Sequence, residues 1–95
     1  MALQMNYYYS LIGTTIYNAY WRINTKNGLV GGKDSMNYVI EAFKDANAAH
    51  AENPEAIYRM TYLFVPDITD GAENFIAQAY LHAKSLPYFS GSVDV

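Results

Sequence analysis

Extended stretches in which tyrosine recurs at strand spacing constrain this chain more than any other feature. They are Asn6-Tyr7-Tyr8-Tyr9-Ser10, Ile16-Tyr17-Asn18-Ala19-Tyr20-Trp21-Arg22-Ile23 and Ala56-Ile57-Tyr58-Arg59-Met60-Thr61-Tyr62-Leu63-Phe64-Val65. β-Branched and aromatic residues suit a pleated, half-buried surface. Successive side chains of a strand point to opposite faces, so both faces of such a sheet carry large rings with polar tips. One face can form the core. The other must meet water, a ligand or another subunit.

Leu3 to Ser10 reads as a first strand, with Gly13 as the turn residue that follows it. Thr15 to Lys26 reads as a second strand. Alternation divides it into Ile16, Asn18, Tyr20 and Arg22 on one side and Thr15, Tyr17, Ala19, Trp21 and Ile23 on the other. The second set is more apolar and is expected to face the core. Asn27-Gly28 is a hairpin signal, and the glycines of Leu29 to Asp34 suggest a loose connection. Ser35 to Phe43 alternates again, with Met36, Tyr38, Ile40 and Ala42 opposed to Asn37, Val39, Glu41 and Phe43. The alanine-rich stretch after Lys44 favours a short helix. A single helix over residues 35–51 is the competing reading. Glu55 to Val65 is the clearest strand, and Pro66 ends it.

Asp70 and Glu73 have the spacing of a capping box, which predicts a helix from there to Leu86, stopped by Pro87. On that helix Ala72, Phe75, Ile76, Ala79, Tyr80, Ala83 and Leu86 form one apolar face, so Phe75 and Ile76 are expected core anchors. Leu81 lies outside that arc. The tail from Tyr88 to Val95 is apolar enough to dock. The expected fold is one α+β domain over residues 1–95. An antiparallel sheet of about four strands is covered on one face by the C-terminal helix, with a short helix before the last strand.

Chemistry-bearing patterns are sparse. The chain has no cysteine, so a disulfide framework or thiolate site is excluded. His50 and His82 are the only histidines and carry no clustered ligands in sequence, so no metal is expected. Asp67, Asp70 and Glu73 do not match a calcium loop, and Gly28 to Lys33 lacks the phosphate-loop spacing. No serine is accompanied by a triad pattern. The reading is therefore a non-enzyme without cofactor. The net charge is −3 and the six Lys and Arg are scattered, which argues against nucleic acid as a partner. No apolar run approaches the roughly 20 residues of a bilayer span, and the opening residues lack the pattern of a signal peptide. No membrane insertion and an intracellular product are expected.

Two stretches resemble a known group. Met1-Ala2-Leu3-Gln4-Met5 and Asn18-Ala19-Tyr20-Trp21-Arg22-Ile23 resemble the start of small bacteriophage proteins that begin MALQ and carry an AYWRI-like second strand. Tyr62-Leu63-Phe64-Val65-Pro66, Gly71 to Tyr80 and Leu86-Pro87 are similar to their C-terminal strand and helix. The resemblance implies a virion structural protein made in the host cytoplasm. It would be a tail, baseplate or neck component, or alternatively a capsid decoration protein, whose partners are itself or other virion proteins. It brings no catalytic residues. A monomeric carbohydrate- or peptide-binding module is the reading from another class. Interface residues expected from the faces turned away from the core are Tyr8, Tyr20, Arg22, Leu81, Tyr88 and Phe89.

Overall fold

The computed structural model describes residues 2–26 and 29–95. Its elements run β1 (Leu3–Tyr9), β2 (Thr14–Ile23), β3 (Leu29–Gly31), β4 (Met36–Phe43), α1 (Ala46–Ala49), β5 (Tyr58–Phe64), α2 (Phe75–Ser85), a 3-10 turn (Pro87–Phe89) and β6 (Val93–Asp94). The fold is α+β. Among the described residues six strands form one antiparallel sheet. β4 is its centre. β5 lies along one side of β4, and the other side is shared by β2 and β3. β1 follows β2, and β6 closes the far edge against Leu3 and Gln4. The two short strands, β3 and β6, extend the expected four-strand sheet.

The single helix considered for residues 35–51 is not formed. Met36 to Phe43 is fully extended because it has ladder partners on both sides, and α1 begins only after Asp45, whose carboxylate accepts from the Ala48 amide at 2.8 Å. The segment expected to be a loose connection instead contributes β3. Gly31 is required there: its φ is 145°, and a Cβ would strike the Ser35 carbonyl and lie 2.7 Å from the Met36 Cα. The Asn27-Gly28 hairpin signal lies outside the described residues. Gly13 does turn the β1–β2 hairpin, with φ 66°.

Ladder register assigns the inner face. Trp21 pairs with Ala42 and Ile23 with Ile40. Ala42, Ile40, Tyr38 and Met36 then pair with Tyr58, Met60, Tyr62 and Phe64. These residues, with Leu3 and Ala19, form the core or pack against it. α2 covers them through Ala79, Tyr80 and Ala83, all buried. The Tyr80 hydroxyl accepts from the Ile23 amide at 2.9 Å, tying helix to sheet.

The second strand departs from simple alternation at one point. Met5 faces Ala19 but Tyr7 faces Ile16, so β2 carries one extra residue against β1. This β-bulge holds Asn18 at φ 55°, a left-handed conformation that asparagine tolerates better than most residues. The Asn6 side chain accepts from the Asn18 amide at 2.8 Å and secures it. A bulge shifts the facing of everything beyond it. Ile16, expected outside, packs against the core. Tyr17, expected inside, is 74% exposed.

The start of α2 also differs from expectation. Asn74 is the N-cap, accepting from the Ala77 amide at 2.8 Å, and Asp70 is not. The Asp67 carboxylate accepts from both the amide and the hydroxyl of Thr69, at 3.0 and 2.7 Å. Gly71 follows at φ 83°. These two local turns keep residues 67–73 out of the helix. Gln78 anchors the loop by accepting from the Asp67 amide at 2.7 Å and donating to the Asp67 and Glu73 carbonyls at 2.8 and 2.7 Å. Phe75 and Ile76 thus occupy the first turn, stand 39% and 37% exposed, and join no part of the core cluster. They are not core anchors.

Candidate functional site

The six interface residues expected from sequence fall into three places. Tyr8 lies on the distal half of the β1–β2 hairpin. That half ends in Leu11 and Ile12, which are 85% and 66% exposed, and it also presents Tyr8 and Tyr17 to solvent. β-Strand chemistry explains the stalk and Gly13 the turn. No described residue covers the apolar tip.

Leu81 and Tyr88 lie on the helix side. Leu81 is exposed on α2 and forms a ridge between two grooves. One, of about 620 Å³, runs past Phe64, Val65 and His82. The other, of about 440 Å³, runs past Ala2, Ala77 and Lys84. Tyr88 stands over the aromatic end of the inner face, where Trp21 is the hub. Tyr7 and Tyr58 stack at 5.0 Å, and Trp21 meets their rings edge-on at 5.8 and 6.1 Å. Tyr88 packs edge-on against Trp21 at 5.9 Å. Phe89 was expected at an interface and is not available there. It is 1% exposed, 5.1 Å from Trp21, because the 3-10 turn after Pro87 directs it into the core.

The phenols of this cluster crowd one another. Burial, and then Tyr58, Tyr7 and Tyr62, push the Tyr88 hydroxyl up to about 12. Burial and neighbouring phenols also raise Tyr7 and Tyr62. Tyr38, at the covered end of the same face, is raised further, chiefly by burial. It therefore remains a neutral phenol, with its oxygen 2.7 Å from His82 Nδ1.

Tyr20 and Arg22 lie on the outer face. Register places Tyr20 opposite Phe43, Arg22 opposite Glu41, and Glu41 opposite Arg59. The Arg59 Nε donates to the Glu41 carboxylate at 2.6 Å, and Glu41 is only 4% exposed. The Arg22 guanidinium lies 4.8 Å from the Phe43 ring centre. The Tyr20 hydroxyl is 3.5 Å from His50 Nε2, at the end of α1. Together the β2 end, the outer row of β4 and β5, and the segment from Ala49 to Pro54 enclose a cleft of about 470 Å³. Sequence reasoning selected Arg22 but missed Glu41, Arg59 and His50 as its neighbours. The cross-strand register that unites them links positions 18 residues apart or more, which alternation within one strand does not reveal.

Among the described residues no cluster of three or more His, Asp or Glu could hold a metal ion, and no helix is long and apolar enough to cross a membrane. No family model, curated protein or solved structure matches this chain.

Proposed function

We propose that this protein is a structural component of a bacteriophage virion, placed at the tail, baseplate or neck and acting through protein–protein contacts. One structural observation carries the assembly part of this reading: the uncovered apolar tip of the β1–β2 hairpin, Leu11 and Ile12, flanked by exposed Tyr8 and Tyr17. Four large apolar or aromatic side chains at one projecting end form a patch of the kind that marks interaction sites. Tyrosine is enriched at such sites because it combines a large ring with a polar tip. The exposed Leu81 ridge on α2 offers a second contact. The virion assignment rests on the sequence resemblance at both ends of the chain.

A charged pair of substitutions, Leu11→Asp with Ile12→Asp, tests the reading. Neither side chain belongs to the core cluster, so the fold should persist while self-association or binding to virion proteins is lost in sedimentation. Peptide counting in purified virions, scaled to the major capsid protein, then locates the protein. A few copies per particle fit the tail, baseplate or neck, and hundreds fit capsid decoration. A strictly monomeric protein absent from virions, with a sugar or peptide bound at the Tyr7–Tyr58–Tyr88 cluster, would replace this reading with a binding module.

A further inference from the structure

Among the described residues the outer-face cleft holds an arginine, Arg22, that forms no ion pair. Arg22 is half-buried, and its guanidinium is held by the Phe43 ring at 4.8 Å. Its cross-strand neighbour Glu41 is the obvious acceptor, yet Glu41 is already engaged by Arg59 at 2.6 Å. The ion pairs among the described residues are Arg59–Glu41 and Lys84–Asp94, so Arg22 has no carboxylate of its own. A planar guanidinium fork that is positioned but unpaired suits bidentate capture of an oxyanion.

We infer that this cleft binds a monocarboxylate, with Arg22 as the residue that grips it. Charge selects the class. Arg22, Lys26 and Arg59 line the cleft with Glu41 and Glu52, three cations facing two carboxylates, which leaves one net positive charge. A singly charged carboxylate balances it, whereas a phosphate dianion would overfill it. The protein as a whole is acidic, at −3, yet half of its six Lys and Arg converge here. A volume of about 470 Å³ falls within the roughly 300–1,000 Å³ of small-molecule sites. Part of the floor is apolar, from Phe43 and Ala49, which accommodates a short hydrocarbon body beside the carboxylate. This inference requires no virion partner and stands apart from the hairpin tip.

Titration of the isotopically labelled full chain with acetate, benzoate, inorganic phosphate and a blocked peptide bearing one Asp, followed by amide NMR, tests it. Saturable shifts confined to residues 22–26, 43 and 49–54 are expected with at least one carboxylate. Acetate or benzoate as the tighter probe identifies a free acid as the source, and the peptide as the tighter probe identifies a protein side chain. Arg22→Gln should weaken that binding about tenfold or more. Arg22→Lys keeps the charge above Phe43 but loses the fork, so it should bind weakly while unfolding at the parent midpoint. Absence of saturable shifts, tighter binding of phosphate than of any carboxylate, or undiminished binding by Arg22→Lys would each overturn the assignment.

Discussion

The two faces of the sheet are built from the same strands and stabilised by different physics. On the inner face Trp21, Tyr38, Ile40 and Phe89 are almost fully buried, and rings meet rings, mostly edge-to-face, around Trp21. On the outer face one row runs Arg22, Glu41, Arg59 across three strands, with Phe43 beside it. Apolar burial is non-directional, so it fills the face that α2 and the C-terminal turn can seal. Glu41 is buried too, but it depends on one directed partner. The inner face is therefore sensitive to lost volume. The outer face is sensitive to lost charge.

Removing the hub should break this contrast most severely. Trp21→Ala is expected to cost about 3–5 kcal/mol, read as a fall in the urea midpoint. Raising the pH should weaken the same face. The Tyr88 phenol moves from 10.0 up to about 12 in the folded chain, and Tyr7, Tyr62, Tyr38 and Tyr80 move in the same direction. In the unfolded chain these phenols release protons earlier, so the native state binds more protons. The Tyr88 contribution is fully present below pH 10.0 and is lost as pH rises through about 12, and the other four phenols add to the loss in the same direction. Urea midpoints at neutral pH and in this alkaline window should fall accordingly. A flat profile would place these phenols in water.

On the outer face, Arg59→Ala leaves the Glu41 carboxylate buried without its ion pair and should cost about 1–3 kcal/mol. The Arg59→Ala, Glu41→Gln double variant should recover part of that loss, because the uncompensated charge is gone. Smallest is the cap that holds α2 over the inner face. Asn74→Ala should cost about 0.5–2 kcal/mol. Asp70→Ala should leave the unfolding midpoint close to the parent value, since its side chain caps nothing. Equal effects at the two positions would return the helix start to the capping-box register.

The residues of the two faces were partly legible in advance. Alternation over Met36 to Phe43 assigned Met36, Tyr38, Ile40 and Ala42 to one side correctly, because β2, β3 and β5 all keep regular register along β4. In β2 the same logic succeeded for Ala19, Trp21 and Ile23 and failed for Ile16 and Tyr17. The failure has one cause: a bulge that exists only when Asn6 of β1 is opposite Asn18. On α2 the helical period was right for Ala79, Tyr80 and Ala83. It failed for Phe75 and Ile76 because Asp67, Thr69 and Gly71 delay the helix start. Among the site residues, Tyr8, Leu81 and Tyr88 are exposed as expected, whereas Phe89 is core.

Local covalent chemistry and periodicity determined what they can determine from neighbours in sequence. The tyrosine-rich runs had to be strands, Gly13 had to turn, Pro66 had to end β5 and Pro87 had to close α2. Tertiary structure decided whatever depends on two distant segments meeting. It set the β1–β2 register that moved Tyr17 outward, the docking of Phe89 beneath Trp21, and the capture of Glu41 by Arg59 beside Arg22. A strand's pleat is a property of its own backbone. Which residue stands opposite, and whether its charge is already satisfied, is a property of the neighbour that the folded sheet supplies.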